Sequence, residues 1–195
     1  LMVEYLMNDE EMEQSFRLKL NDAGADISEL KAGIRFSTSD IGASKVYASV
    51  FYDADGVRTT CNSGIALEHK GEASPQLYAE SCKQLGMVFK ESEELIEKLG
   101  NMNISDVAGV VQEIRENYSI FPKGISEKVE AELRIQYPGG GTAIDVYLAL
   151  NDIIQRYSEE NKISPTRYLN LSEQVAKLMH LPFERIDQGE EWKKI

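Results

Sequence analysis

The stretch VYASVFYDADGVRTTC, residues 46–61, decides how the chain is read. Its first half, Val46 to Tyr52, is rich in the β-branched and aromatic residues that pack well on a pleated surface. Asp53-Ala54-Asp55-Gly56 interrupts it, and a second run, Val57 to Cys61, follows at once. Two such runs around a short Asp/Gly loop predict a β-hairpin. Upstream, Ile34-Arg35-Phe36 predicts a short strand. Downstream, Asn62-Ser63-Gly64 is a turn signal, and Ile65 to Lys70 follows it as a further run. The segment is therefore expected to be a β-meander.

Nearer the N-terminus the pattern is double. Asn8 and Glu11 have the spacing of a capping box for a short helix through Phe16. Phe16, Leu18 and Leu20 alternate, which is the period of a strand. Both readings stay open.

After Gly71 the periodicity changes to that of helices. Ser74 and Pro75 predict a start for a helix through Leu85. Ser92-Glu93-Glu94 opens another, with acidic residues at the positive end of the helix dipole. Val107, Val110, Val111, Ile114 and Tyr118 form an apolar stripe at helical spacing. Residues 125–135 are expected to be helical, although Leu133, Ile135 and Tyr137 alternate. Tyr147, Leu150, Ile154 and Tyr157 line one side of a helix over 142–158. Leu171, Val175, Leu178 and Met179 do the same over 168–180, and Pro182 ends that helix. Strands first and then about five helices predict an α+β fold, an N-terminal antiparallel β-meander followed by a helical C-terminal half. One domain is expected over 1–195: a mainly β lobe to residue 71, a mainly α lobe over 72–187, and a frayed tail from 188 to 195.

The glycines of YPGGGTAIDVYLAL, residues 137–150, raise the question of a phosphate loop. Such a loop needs a lysine after the glycines, and here Gly141 leads straight to Thr142. The dinucleotide fingerprint is missing as well. Thr142 with Asp145 three residues on instead predicts a capping box, in which side chains occupy the amides a phosphate would use.

Composition narrows the chemistry. The chain has 195 residues, 33 acidic and 21 basic, for a formal net charge of −12. Affinity for nucleic acid comes from Lys and Arg displacing counterions, so this balance disfavours a DNA or RNA coat and favours protein partners with basic surfaces. No apolar run approaches the roughly 18–20 residues of a membrane span. The start, LMVEYLMNDEEMEQ, is acidic and lacks the basic beginning of a secretory signal. Leu1 stands where a methionine would begin a whole chain, as expected of a piece of something longer. Two cysteines, Cys61 and Cys82, fit a reducing cytosol.

Candidate chemistry is sparse. Asp53-Ala54-Asp55-Gly56 lacks the later ligands of a calcium loop and reads as a turn. The two histidines, His69 and His180, have no partner at metal spacing. Cys61 near His69 is the one nucleophile–base pairing at plausible distance. A basic groove on the sheet would draw on Arg35, Lys45, Arg58 and Lys70.

Two segments carry a family resemblance. Phe36-Ser37-Thr38-Ser39-Asp40-Ile41-Gly42-Ala43 leads through a strand pair to Cys61-Asn62-Ser63-Gly64. Far downstream, Thr142-Ala143-Ile144-Asp145-Val146-Tyr147-Leu148-Ala149 opens a helix, with Arg167 and Leu169 opening the next. Over residues 34–180 this resembles the phage- and plasmid-associated domain of unknown function family numbered 932. The resemblance implies a mobile-element origin rather than a mechanism, because that family has no agreed activity. It directs attention to the turn residues Asp40, Gly42, Cys61, Asn62 and Gly64, each of which turn chemistry also explains.

The expectation is a cytoplasmic protein of a bacterial host, without cofactor or membrane contact. It acts as a phage accessory factor that binds and modulates host proteins, anti-defence activity included. Self-association is left open. Two other readings stand beside it: a nucleic-acid-associated factor in phage replication or recombination, and a Cys61-dependent enzyme.

Overall fold

A computed structural model describes residues 2–22, 24–38, 45–60, 65–68 and 75–195. The chain opens with β1 (Met2–Leu6), α1 (Glu10–Asp22), β2 (Leu30–Thr38), β3 (Lys45–Ala54), β4 (Val57–Thr60) and β5 (Ile65–Glu68). All the strand pairings are antiparallel, in the order β1-β2-β3-β4, with β5 also pairing β3. A helical half follows: α2 (Pro75–Gly100), α3 (Val107–Asn117), α4 (Lys123–Gln136), α5 (Ala143–Asn161), α6 (Pro165–Lys177) and α7 (Phe183–Asp187). A second, two-stranded sheet joins β6 (Asn103–Ile104) to β7 (Gly141–Thr142). The architecture is the α+β one expected.

The hairpin that decided the reading is present. Asp55 and Gly56 take φ of 49° and 88°, the left-handed pair that matches the twist of a tight hairpin. Asp53 Oδ1 accepts from the Gly56 amide at 2.9 Å. The Asp55 carboxylate accepts from the amides of Ser28 and Glu29 at 2.9 and 2.7 Å, tying the turn to the start of β2.

One face of the sheet builds the core. Ala32 of β2 and Val50 and Tyr52 of β3 share it, since side chains of one face recur every second residue. Phe16 of α1 packs on Tyr52 with ring centroids 4.5 Å apart, and Phe89 of α2 meets it edge-on at 6.1 Å. The apolar cluster continues without a break through Ile114, Leu150 and Val175 to Ile186. At its centre runs α5, with Val146, Leu150 and Ile153 fully buried.

That helix also closes the β4 edge. An outermost strand leaves every second residue's N–H and C=O without a partner. Here the Tyr147 hydroxyl donates to the Thr60 carbonyl. Gln155 accepts from the Arg58 amide at 2.9 Å and donates to the Gly56 carbonyl at 2.8 Å. Two side chains of α5 thus take up part of what a further strand would.

The glycine loop sets where α5 begins. Gly140 has φ of 90°, and a Cβ there would stand 2.5 Å from the Ile104 carbonyl oxygen. At Gly141 a Cβ would meet the Asp145 carboxylate at 2.7 Å. The capping box predicted for Thr142 and Asp145 is present. Its aspartate half is the firmer one: Asp145 Oδ2 accepts from the Thr142 amide at 2.7 Å and from its hydroxyl at 2.9 Å.

Several expectations need correction. Residues 75–100 form one helix rather than two, because Val88, Phe89 and Ile96 bury a continuous stripe across the expected break. The 16–20 segment is helical, with Phe16 and Leu20 inward and Leu18 exposed. Strand β1 was not anticipated. The tail is not frayed: Trp192 stacks on Tyr118 at 6.2 Å, and the Ile195 amide donates to the Tyr118 hydroxyl at 3.1 Å. The expected lobe boundary between residues 71 and 72 lies outside the described residues.

Asp187 clamps α7 to the turn before α3. Burial raises its carboxyl pKa, but the amides of Ser105 and Asp106 and the Ser105 hydroxyl outweigh that and hold it below the ordinary carboxylate range.

Two outcomes are expected. Tyr147→Phe removes the donor to Thr60 and should cost about 1–3 kcal/mol in urea unfolding, with Gln155→Ala costing less because it lies nearer solvent. A depressed carboxyl pKa stabilises above its unfolded value and loses that contribution as pH falls through the folded one. The stability gap between the wild type and Asp187→Asn should therefore be widest near neutrality and shrink below about pH 4. A gap that stays constant down to acid would rule out the clamp.

Candidate functional site

Two side-chain arrangements stand out, one on each side of the sheet lobe. The first concerns the residues expected to form a basic groove. Arg35 is 1% exposed. Its Nε donates to Glu4 Oε1 at 2.7 Å and its Nη1 to the Thr60 hydroxyl at 3.2 Å. The guanidinium carbon lies 5.2 Å from the Phe51 ring centroid and 5.5 Å from that of Tyr168 on α6, a sandwich of cation and aromatic faces. Arg58 pairs with the other oxygen of Glu4 and lies near Asp53 at 3.7 Å.

The expected groove is thus not assembled from Arg35, which is a core residue. The reason is register: Glu4 of β1 stands directly opposite Arg35, so the cation meets its partner across the strand pair. Lys45 begins β3 opposite Glu68. Lys70, Asp40, Gly42, Cys61, Asn62 and Gly64 lie outside the described residues, as does His69.

The second arrangement is a cleft of about 200 Å³ between the sheet lobe and the helices. Its apolar floor includes Ile27, Val57, Leu133 and Leu148. Five carboxylates line it, Asp26, Asp55, Glu132 and Asp152 toward the surface and Asp145 buried, against one cation, Arg156. The spacing along α5 explains part of this: Asp145, Asp152 and Arg156 follow one another at seven and four residues, so all three project from one side.

The five carboxylates differ in what they hold. Asp55 is taken up by backbone amides at the hairpin turn. Asp145 is buried and accepts from Thr142 and, through Oδ1, from the Tyr137 hydroxyl at 2.9 Å. Burial raises the pKa of the Tyr137 phenol well above its ordinary value, and the nearby charge of Asp145 and their hydrogen bond add to the rise. Tyr137 is therefore a fixed donor at any physiological pH. Arg156 reaches both Glu132, at 2.8 and 3.0 Å, and Asp152, at 2.8 and 3.0 Å. Its hydrogen bond to Glu132 holds that carboxyl below the ordinary range, against the opposing effect of burial. Asp26 is exposed at the mouth and has no ion-pair partner among the described residues.

An apolar floor under an acidic rim fits one kind of group well. Lys and Arg bury an alkyl stem while keeping a charged head at the surface. The cleft offers both surfaces, and Asp26 is the carboxylate left to meet the head.

Sequence reasoning missed this cleft. The helical spacing of Asp145, Asp152 and Arg156 was available to it, but the opposing wall comes from the loop at Asp26 and the hairpin at Asp55, which no local pattern links. Comparison of the chain with family models, with curated proteins and with solved structures finds no match. Among the described residues, no helix is long and apolar enough to cross a membrane.

Replacing Arg156 with Gln tests the electrostatics of the rim. The Glu132 carboxyl should then titrate at higher pH than in the wild type, read by carbon NMR of the carboxyl. An unchanged Glu132 titration would show that Arg156 does not set its charge.

Proposed function

We propose that the protein is a non-catalytic accessory factor that binds basic segments of partner proteins, gripping a Lys or Arg side chain in the acidic cleft. The observation that carries this reading is the lining of the cleft, an apolar floor with five carboxylates against the single cation Arg156, of which Asp26 is exposed and without an ion-pair partner among the described residues. The net charge of −12 acts in the same direction, drawing a basic partner toward the molecule before contact. The resemblance over residues 34–180 supports a mobile-element setting. There, the partners would be components of host machinery, a defence system among them. Binding rather than catalysis suits the cleft because Asp55, Glu132, Asp145, Asp152 and Tyr137 are each engaged in holding the fold together, which leaves them poorly placed to exchange protons with a substrate.

The test is capture from a bacterial extract at low salt, with wild type and Asp26→Lys side by side. Wild type should retain basic proteins, and the variant should lose most of them, since reversing one rim charge removes about 1 kcal/mol per contact, several-fold in Kd. Retention should also fall as salt is raised, because surface charges are screened over about 8 Å at physiological ionic strength. Equal retention by both proteins, or none by either at low salt, would overturn the reading.

A further inference from the structure

We propose that the outer edge of β1 is a strand-addition site that receives an extended, basic segment of a partner protein. This goes beyond the cleft and uses none of its residues.

The two edges of the main sheet are treated differently. On the β4 side, Tyr147 takes up the outward Thr60 carbonyl and Gln155 the outward Arg58 amide. On the β1 side, no group among the described residues does so. The pairing pattern identifies the open groups. Met7 donates its amide to the Ala32 carbonyl at 2.8 Å, so Met7 and, by alternation, Tyr5 and Val3 point their backbone toward β2. Glu4 and Leu6 therefore direct their N–H and C=O outward. These groups match the repeat of an added strand.

The edge also lacks the usual protection. Natural edges carry prolines, bulges or outward charges that discourage pairing. The segment Met2–Leu6 has no proline, and its one charge, Glu4, is drawn inward to Arg35 and Arg58. Tyr5 and Leu6 are 60% and 61% exposed, on opposite faces of the strand, ready to meet alternate side chains of an incoming segment.

Charge selects the occupant. Asp9, Glu10 and Glu11 follow the strand and are all exposed, so lysines or arginines flanking an incoming strand meet opposite charge. A second copy would instead bring another molecule of net charge −12 against this end.

The probe is an end-blocked heptapeptide of alternating valine and lysine, with a twin N-methylated at every second residue so that one edge cannot donate. The full chain carrying Asp26→Lys is used, which removes binding in the cleft from the reading. The peptide should slow hydrogen exchange at the Glu4 and Leu6 amides while leaving Tyr5, already bonded to β2, unchanged. The N-methylated twin should bind about tenfold more weakly, having lost the main-chain bonds. Leu6→Pro removes an outward amide without touching the β1–β2 ladder. It should keep the fold by circular dichroism and lose peptide binding by a similar factor. Equal binding of the two peptides, unaltered binding by Leu6→Pro, or no protection of Glu4 and Leu6 would overturn the proposal. Protection of those amides without peptide, together with a dimer in sedimentation, would assign the edge to a second copy and overturn it as well.

Discussion

The fold depends on how α5 meets the β4 edge. A sheet of this size buries its apolar face readily, but its outer backbone groups need partners that hydrophobic packing cannot supply. Tyr147 and Gln155 provide them from a helix for the Thr60 carbonyl, the Arg58 amide and the Gly56 carbonyl, while Val146, Leu150 and Ile153 on the same helix form the centre of the core. Position along α5 thus has to satisfy two demands at once. The helix start is fixed to the residue by Thr142 and Asp145, and the close approaches at Gly140 and Gly141 fix it in space. A helix displaced by one residue would turn Tyr147 about 100° away from the Thr60 carbonyl.

A buried charge fastens the other side of the sheet. Arg35 sits between two aromatic rings with Glu4 as its carboxylate partner. Removing one member of such a pair strands the other, at a cost of about 3–5 kcal/mol, well above the value of the pair itself. The residues of β1 therefore matter more to stability than the exposed side chains of Tyr5 and Leu6 suggest. They complete the core around a cation that β2 cannot accommodate alone.

What the sequence made legible follows from what is local. The hairpin turn at Asp55-Gly56, the strands around it, the cap at Thr142 and the apolar stripes of α3, α5 and α6 each depend on neighbours a few residues away. The errors share the opposite property. Arg35 looked like a surface cation because its partner, Glu4, lies in a strand too short and too weakly bounded to recognise. The tail looked frayed because Trp192 finds Tyr118 only after the helices fold back. The acidic run at Ser92 imitates a new helix start, and only burial of Val88 and Phe89 reveals that α2 continues through it. The cleft is the extreme case, being assembled from four separate stretches of chain.

The seal on β4 has a kinetic side. Tyr147 and Gln155 lie 87 and 99 residues along the chain from the groups they satisfy. During synthesis at about 5–20 residues per second, the finished hairpin therefore leaves the ribosome several seconds before the helix that covers it. Throughout that interval the nascent sheet carries two unguarded margins instead of one, and crowding by sister chains on the same message is the hazard it meets first.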